Sequence, residues 1–317
     1  MLDRALNEDV IERALAEDIG DGDVTTESLI PVGWSGTGLI VVKGEGILAG
    51  IGLARQVFLR VDPKLKVEML MEDGARVGPG DTAASLTGSI VGILRGERVA
   101  LNFLQRLSGI ATETGRYVES VHGLPVRIMD TRKTTPGLRA LEKYAVRVGG
   151  GHNHRAGLSD GILIKDNHLA PLRARGLTME EIIARARQDA SSPSSEFAPE
   201  ALRGAERPGD LRARQMPVEV EVTNVAEALE AVDAGADIVM LDNMNLDDMC
   251  EAVKAVQGRA LLEASGGITL DNVRAVAETG VDMISIGALT HSVRALDISL
   301  ELQEPMFKKA EVGRLPV

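Results

Sequence analysis

The stretch VEVEVTNVAEALEAVDAGADIVMLD, residues 218–242, holds two short apolar runs with a helical pattern between them. Short apolar runs bounded by turn residues are typical of buried strands, whereas NVAEALEAVDAG has the spacing of an amphipathic helix. A strand, a helix and a second strand in this order form a βαβ unit, in which the two strands run parallel. The stretch therefore predicts a parallel sheet in this part of the chain.

The same alternation continues on both sides of this stretch. Further apolar runs are VRIMD (126–130), GILIK (161–165), ALLEA (260–264) and MISI (283–286). Glu221 to Asp242 is 21 residues, Asp242 to Ser265 is 23, and Ser265 to Gly287 is 22. A βα period of this size predicts an α/β protein whose C-terminal domain is a parallel α/β barrel, TIM-like but incomplete. An open doubly wound sheet is the alternative.

Residues 1–112 are predicted to form an N-terminal α+β sandwich domain. Strand-like runs broken by glycine are followed there by a long amphipathic helical region, with an interruption near Ser108 and Gly109. The barrel domain then covers 113–289, and a C-terminal helix over 290–317 is predicted to pack back on the first domain. Residues 189–215 carry three prolines and many small polar residues, so we expect a flexible surface insertion.

The composition excludes several classes of protein. Hydrophobic residues make up 44% and charged residues 26%, as in globular chains, whereas aromatic residues are only 2%. So few aromatic rings argue against a surface that stacks single-stranded nucleic acid. The one cysteine, Cys250, cannot form an internal disulfide, which favours a reducing compartment. Because no uncharged apolar run of membrane length and no signal-peptide pattern occur, we expect a soluble cytoplasmic protein without membrane partners.

A cationic stretch lies inside this acidic chain. The formal net charge is −12, yet residues 130–166 contain seven Lys or Arg against four Asp or Glu, a local charge of +3. A nucleic-acid surface would more usually make the whole domain basic. The pattern therefore indicates a site for small anions.

Polar residues follow the predicted strands where each strand ends. Lys165 ends GILIK, Glu221 lies at the end of VEVEV, and Asp242 ends IVMLD. Likewise Asp130, Arg132 and Lys133 follow VRIM, Ser265-Gly266-Gly267 follows ALLEA, and Gly287-Ala288 follows MISI. Functional residues of parallel barrels lie at this edge, so the set predicts a site there. Each residue taken singly is also explained by a surface salt bridge or a turn.

Two glycine turns, SGGIT and GALTH, each join a strand to the start of a helix. Glycine lets backbone N–H groups approach an anion, and a helix N-terminus adds positive potential. We therefore expect a phosphate monoester at these turns. Glu221 and Asp242 suit a magnesium ion, ribose hydroxyls or a developing cation, and Glu219 is an alternative to Glu221 because it lies on the same face of the strand.

The run GGGHNHR contains His152 and His154. A transition-metal site is one interpretation, but no Cys or third His lies at metal-ligand spacing. An anion contact by His154 together with Arg155 fits the surrounding charge better. A structural and a functional role are equally compatible with His168.

Taken together, the motifs resemble one known family. DTRKTTPGLR, EKYAVRVGGGHNHRAGLSDGILIKDNH, EVEV, LDN, SGGI and GALTHS are similar to those of quinolinate phosphoribosyltransferase, the carboxylating nicotinate-nucleotide pyrophosphorylase of NAD synthesis. The resemblance covers nearly the whole chain. It implies a pentosyltransferase that joins quinolinate and 5-phosphoribosyl 1-pyrophosphate with magnesium, and without an organic cofactor. Nicotinate mononucleotide, pyrophosphate and carbon dioxide are the implied products.

The resemblance also implies roles for single residues. The quinolinate carboxylates would be bound by Arg132, His154, Arg155 and Lys165. The implied catalytic residues are Lys133, Lys165, Glu221 and Asp242, with magnesium held by the two acids directly or through substrate or water. The 5-phosphate would be held by Ser265, Gly266, Gly267, Gly287 and Ala288, with His291 close by.

Arg98, in RGERVALN, matches an arginine that the family lends to the neighbouring subunit. This implies a homodimer, or a higher oligomer built from it. Two other functions stay open on the sequence alone. One is phosphoribosyl transfer to another acceptor, as in a relative of the same fold encoded with molybdate transport genes. The other is a non-catalytic sensor of a phosphate ligand.

Overall fold

The computed structural model describes residues 4–189 and 216–303. The chain forms two compact units, one comprising residues up to Thr112 and from Arg294 onward, the other comprising Glu113–Val293. The insertion predicted over 189–215 lies outside the described residues, apart from Asp189, where a helix ends. None of the described helices combines the length and the apolar character needed to cross a membrane.

Both units contain helices and strands. The described helices are α1 (Arg4–Ile19), α2 (Val24–Leu29), α3 (Ile51–Val61), α4 (Ile90–Ser120), α5 (Arg139–Val148), α6 (Asp166–Arg173), α7 (Met179–Asp189), α8 (Val225–Asp233), α9 (Leu246–Val256), α10 (Val273–Glu278) and α11 (Ala288–His291). The described strands are β1 (Ser35–Val42), β2 (Gly46–Ile47), β3 (Lys66–Met69), β4 (Arg76–Val77), β5 (Thr82–Ser89), β6 (Arg127–Met129), β7 (Ile162–Ile164), β8 (Val218–Val222), β9 (Ile238–Asp242), β10 (Leu261–Ser265), β11 (Met283–Ser285) and β12 (Ile298–Leu302).

The N-terminal unit contains a four-stranded antiparallel sheet in the order β12-β1-β5-β3, with β2 and β4 as a separate pair. A C-terminal helix was predicted over 290–317. This prediction is wrong for the described residues that follow α11. Residues 298–302 form β12, which pairs antiparallel with β1 from Val42↔Ile298 to Gly38↔Leu302. Ile298, Leu300 and Leu302 alternate with polar residues, and this period of two is the pattern of a strand. Residues 304–317 of the predicted helix lie outside the described residues.

Helix α4 is continuous, so the interruption predicted near Ser108 and Gly109 is wrong. A side chain at Gly109 would collide with the backbone carbonyl of Arg294, and the Ser108 hydroxyl accepts a hydrogen bond from the N–H of Ala49 at 2.9 Å. These small residues allow the returning chain to approach the helix closely, and this requirement explains a glycine inside a helix.

The C-terminal unit contains a six-stranded parallel sheet in the order β6-β11-β10-β9-β8-β7. One interior cavity is lined by residues of strands distributed across this order, including Met129, Glu219, Ile238, Glu263 and Met283. Residues of β6 and β8 can border the same small space only if the sheet curves round on itself. The unit is therefore an incomplete parallel α/β barrel, with β6 and β7 as the end strands of the described sheet, as the sequence period predicts.

Candidate active site

The carboxyl edge of the barrel sheet carries the residues that the sequence places at strand ends. Lys165 follows β7, and Glu221 is the second-to-last residue of β8. Asp242 and Ser265 are the last residues of β9 and β10, and Gly287 follows β11. Because all six strands are parallel, their carboxyl ends meet at one edge. The structure thus brings these five positions to the same end of the barrel.

Lys165 and Glu221 form an ion pair between the Lys165 ammonium and Glu221 Oε2. The pairing of β7 with β8 positions them, since Ile164 is opposite Val220 and the next residue along each strand is Lys165 and Glu221. The N–H of Lys165 donates to His168 Nδ1 at 2.9 Å, at the start of α6. His168 therefore has an observed structural role at the start of this helix.

Glu219 and Glu221 point to the same face of β8 but at different depths. Glu219 is buried and lies 3.0 Å from His154 Nε2 through its Oε2. Glu221, one pleat closer to the carboxyl edge, instead pairs with Lys165. Glu221 is thus the acid nearer the open end, and Glu219 belongs to the barrel interior.

His154 uses all four of its hydrogen-bonding groups within the protein. Its N–H donates to Asp130 Oδ1 at 2.8 Å, and its carbonyl accepts from Lys143 Nζ at 2.9 Å. On the ring, Nδ1 accepts from the N–H of Arg155 at 2.9 Å, and Nε2 faces Glu219. A direct contact with a substrate carboxylate would therefore require one of the ring contacts to be exchanged. The predicted role of His154 as a carboxylate ligand stays a prediction.

Within the described residues, His154, Glu219 and Glu263 bring together three possible metal ligands whose ligand atoms lie within 4.8 Å of one another. Arg155 donates its N–H to Nδ1, so the ring proton belongs on Nε2, where a metal would have to bind. Metal-bound histidines normally donate from the other ring nitrogen. This geometry disfavours a metal at the cluster.

The buried acids of the barrel interior shift the pKa values of Glu263 and His154. Burial and the carboxylate of Glu219 raise the pKa of Glu263 to about 7. Burial opposes a charge on His154, but Glu263 and Glu219 outweigh it and raise the pKa of His154 to about 9. A second ring proton would confront the Arg155 N–H at Nδ1. The two acids therefore draw a proton to His154, and a charged ring would have to give up the contact of its Nδ1 with the Arg155 N–H.

Arg132 and Arg155 place two guanidinium groups near each other. Arg155 is only 8% exposed, and its Nη1 donates to the carbonyl of Gly161 at 2.9 Å. Burial, and then the nearby charge of Arg132, lower the pKa of Arg155. Nε of each of these arginines is buried without a hydrogen-bond partner in the described residues. Two like charges with unused donors are suited to binding an anion.

The turn after β10 packs against the turn after β9. Asp242 Oδ2 accepts from Asn243 Nδ2 at 2.8 Å, and Asn243 has a positive φ of 54°. Gly266 and Gly267 also have positive φ, and a side chain at Gly266 would collide with the amide of Asn243. Asn243 was not predicted as a site residue. Its position after a strand end next to Asp242 is the sequence feature that indicates it.

Lys133, Gly287 and His291 also come together. A Cβ at Gly287 would lie 3.0 Å from Lys133 Cδ and 3.1 Å from His291 Nε2, so both side chains cover the glycine. Ala288 begins the short helix α11, whose Thr290 hydroxyl donates to the carbonyl of Lys133 at 2.7 Å. In the N-terminal unit, Arg98 is exposed on α4.

Sequence reasoning missed the buried polar groups that support these residues. Asp130 and Lys143 form an ion pair and are 0% and 4% exposed, a pairing that the sequence pattern does not predict. Glu263 was not assigned at all and is 1% exposed. Its sequence indication is an acid within the apolar strand LLEAS, since isolated charges are rarely buried without partners.

Known proteins include clear relatives of this chain. The model of the family "Quinolinate phosphoribosyl transferase, N-terminal domain" matches residues 23–108, and that of the C-terminal domain matches 110–207 and 200–301. Quinolinate phosphoribosyltransferase (decarboxylating) 1 of Nicotiana glauca is 41% identical over 96% of this chain and 84% of its own length. The probable nicotinate-nucleotide pyrophosphorylase (carboxylating) of Bacillus subtilis is 43% identical over 90% of each chain. The crystal structure of NadC from Streptococcus pyogenes matches with a TM-score of 0.83 and 38% identity, covering 96% of this chain and 99% of that one.

Proposed function

This chain belongs to the quinolinate phosphoribosyl transferase family, and we propose that it transfers phosphoribosyl from 5-phosphoribosyl 1-pyrophosphate to quinolinate with decarboxylation. The products are nicotinate mononucleotide, pyrophosphate and carbon dioxide. The observation that carries the proposal is the division of charge at the barrel edge. Arg132, Arg155 and Lys165 offer cations for a dianion, and Glu221 and Asp242 offer anions beside them.

The two arginines are the proposed ligands of the quinolinate carboxylates, together with Lys165. Charge-assisted hydrogen bonds of this kind contribute about 1.5–3 kcal/mol each. Nε of Arg132 and of Arg155 needs a partner, and a bound carboxylate provides one. We place His154 in the same site, where its ring either exchanges a contact for the substrate or orients Arg155 from behind.

The reaction follows from the chemistry of the two substrates. The pyridine nitrogen forms a bond to C1 of the ribose while the bond from C1 to the pyrophosphate oxygen breaks, and that oxygen keeps the electron pair. The ring nitrogen becomes cationic. The bond between C2 and its carboxylate then breaks, the electron pair stays on C2 beside the cationic nitrogen, and C2 takes up one proton. Positioning and electrostatic stabilisation are therefore the main tasks of the protein.

Glu221 and Asp242 are proposed to stabilise the positive charge that develops at C1 of the ribose. Lys133 is proposed to contact the pyrophosphate that leaves. The 5-phosphate would be bound by Ser265 and by the backbone N–H groups of Gly266, Gly267, Gly287 and Ala288, with His291 nearby. The positive φ of Gly266 and Gly267 supports this assignment, because such turns expose successive N–H groups to an anion.

Magnesium is the proposed metal. The donor set is compatible with it, since Glu221 and Asp242 are carboxylates on neighbouring strands β8 and β9. Two carboxylates are too few for a site made of protein alone, and magnesium commonly binds one or two carboxylates together with substrate phosphates and water. When bound, magnesium supplies charge neutralisation for the pyrophosphate. Glu221 would have to exchange its contact with Lys165 to take part.

A homodimer is proposed to complete the site. Arg98 is exposed on α4, where an arginine is available to a second chain. In this proposal Arg98 of one subunit contacts quinolinate bound by the other. The cytoplasmic location also stays a prediction.

The test is an assay of the purified chain with quinolinate, 5-phosphoribosyl 1-pyrophosphate and magnesium. We expect nicotinate mononucleotide and pyrophosphate in equal amounts, with release of the 2-carboxylate as carbon dioxide. Nicotinate, which lacks the 2-carboxylate, is the matched control substrate and should give little product. Product from nicotinate or another base, with none from quinolinate, would reject the proposal.

A further inference from the structure

The cationic segment 130–166, which follows β6 and includes α5, contains an ion pair with almost no exposure to solvent. Asp130 directly follows β6, Lys143 lies in the middle of α5, and their side chains are 0% and 4% exposed. Burying two charges costs more free energy than an apolar pair of the same size, so such a pair is weak evidence of a stabilising role. Its hydrogen bonds indicate another role.

The side chains of this pair form hydrogen bonds with two consecutive residues, Asn153 and His154. Asp130 Oδ1 accepts from the N–H of His154 at 2.8 Å, and Oδ2 accepts from Asn153 Nδ2 at 2.6 Å. Lys143 Nζ donates to the carbonyl of His154 at 2.9 Å, and Asn153 Nδ2 also donates to the carbonyl of Lys143 at 2.9 Å. The backbone of His154 is thus held at its N–H by the acid and at its carbonyl by the base.

Arg155 directly follows His154, and its position depends on a fixed backbone at His154. Its guanidinium is held on one side by the carbonyl of Gly161, while the charge of Arg132 lies near enough to disfavour the charged form. Before an anion binds, the two guanidinium groups repel each other, so an unsupported segment would move Arg155 away. A fixed backbone at His154 limits that movement and keeps the two cations ready for one ligand.

We propose that Asp130, Lys143 and Asn153 are positioning residues that fix the His154–Arg155 segment, so that Arg155 is preorganised for a substrate carboxylate. The inference rests on the proposed binding of quinolinate by Arg155. None of the three residues needs to touch the substrate. They act through Arg155, and their loss should weaken quinolinate binding while leaving phosphoribosyl pyrophosphate binding unchanged.

The test compares Lys143→Met with the wild type and with Lys254→Met, a matched control on the exposed face of α9. We expect the KM for quinolinate to rise roughly tenfold to a hundredfold in Lys143→Met, as displaced catalytic groups commonly cause. The KM for phosphoribosyl pyrophosphate should change less than about twofold. A purely structural role would lower the amount of active enzyme and so the apparent kcat, with both KM values unchanged.

A double-mutant cycle shows whether Lys143 acts through Arg155. In an Arg155→Ala background, Lys143→Met should change the quinolinate KM by less than about twofold. The same large change in both backgrounds, or none in the single variant, overturns the proposal. If Lys143→Met does not fold, Asn153→Ala takes its place, with a rise of roughly threefold to tenfold expected and an unchanged KM overturning the proposal. Inactivity of the wild type on quinolinate would instead reject the proposed function, and this inference with it.

Discussion

The Lys165 ammonium is paired with the Glu221 carboxylate across two neighbouring strands at the open end of the barrel. Both side chains also have proposed partners in the substrates, since Lys165 suits a carboxylate of quinolinate and Glu221 suits the positive charge at the ribose. The pair therefore holds the two groups in position before substrates bind. On binding, each group exchanges this contact for one with a substrate.

Glu221→Gln should lower kcat for nicotinate mononucleotide formation by roughly 10²–10³, because one preorganised charge at the reacting carbon is lost. The quinolinate KM should change little or fall, since Lys165 is released from its partner. Steady-state kinetics with both substrates varied measures the two effects. Glu230→Gln, which breaks the exposed ion pair between Glu230 on α8 and Arg173 on α6, is the control. A raised KM with unchanged kcat would contradict the role of Glu221.

Arg132→Ala should raise the dissociation constant for quinolinate by roughly tenfold to a hundredfold, as expected for the loss of a charge-assisted contact. Its Nε has no hydrogen-bond partner among the described residues, so the free energy of unfolding should change little. Isothermal titration with quinolinate measures the binding. Arg259→Ala is the control, because Arg259 precedes β10 at the opposite edge of the sheet. Equal affinities of the variant and the wild type would reject the assignment.

Glu263→Gln should change how stability depends on pH. The pKa of Glu263 is raised from 4.5 to about 7 in the folded chain, so the folded state binds a proton more tightly than the unfolded state. This contribution is complete below pH 4.5 and is lost as the pH rises through about 7. From pH 5 to pH 8 the wild type should thus lose on the order of 3 kcal/mol more than the variant.

Urea denaturation at several pH values measures this difference. Glu251→Gln, at an exposed position of α9, is the control and should keep the wild-type dependence on pH. Parallel curves for the wild type and Glu263→Gln would show that Glu263 does not retain a proton in the folded chain.

Asp242→Asn should raise the magnesium concentration that gives half-maximal activity, by roughly tenfold, since one of two proposed carboxylates is lost. A magnesium titration at saturating substrates measures the shift. Asp247→Asn is the control, because it changes the net charge of the chain by the same amount at an exposed position near the start of α9. An identical magnesium dependence in Asp242→Asn would place the metal elsewhere.

Mixing Arg98→Ala with Lys165→Ala should restore activity that neither variant has alone. If each site combines Lys165 of one subunit with Arg98 of the other, random reassortment leaves one intact site in each mixed dimer, giving about a quarter of the wild-type activity. The mixture is assayed after subunit exchange has been demonstrated with tagged chains. Failure to recover activity despite exchange would contradict a shared site.

The barrel and the residues at its edge were predictable because both depend on local sequence order. The period from Glu221 to Asp242 to Ser265 predicts parallel strands, and parallel strands place their carboxyl ends together. The β12 strand was missed because an alternation of only five residues is too short to separate it from the helical pattern that precedes it in the sequence. Only pairing with β1, which is 256 or more residues away along the chain, stabilises them as a strand (Val42↔Ile298).

The sequence by itself determined the strand period, the excess of cations over 130–166 and the motifs that identify the family. Tertiary structure alone decided which charges are exposed at the site and which are buried beneath it. Lys143 and Lys165 look alike in the sequence, yet one is 4% exposed against Asp130 and the other 41% exposed against Glu221. The physical reason is that burial and charge pairing depend on groups brought together from distant strands and helices, and no local pattern contains those distances.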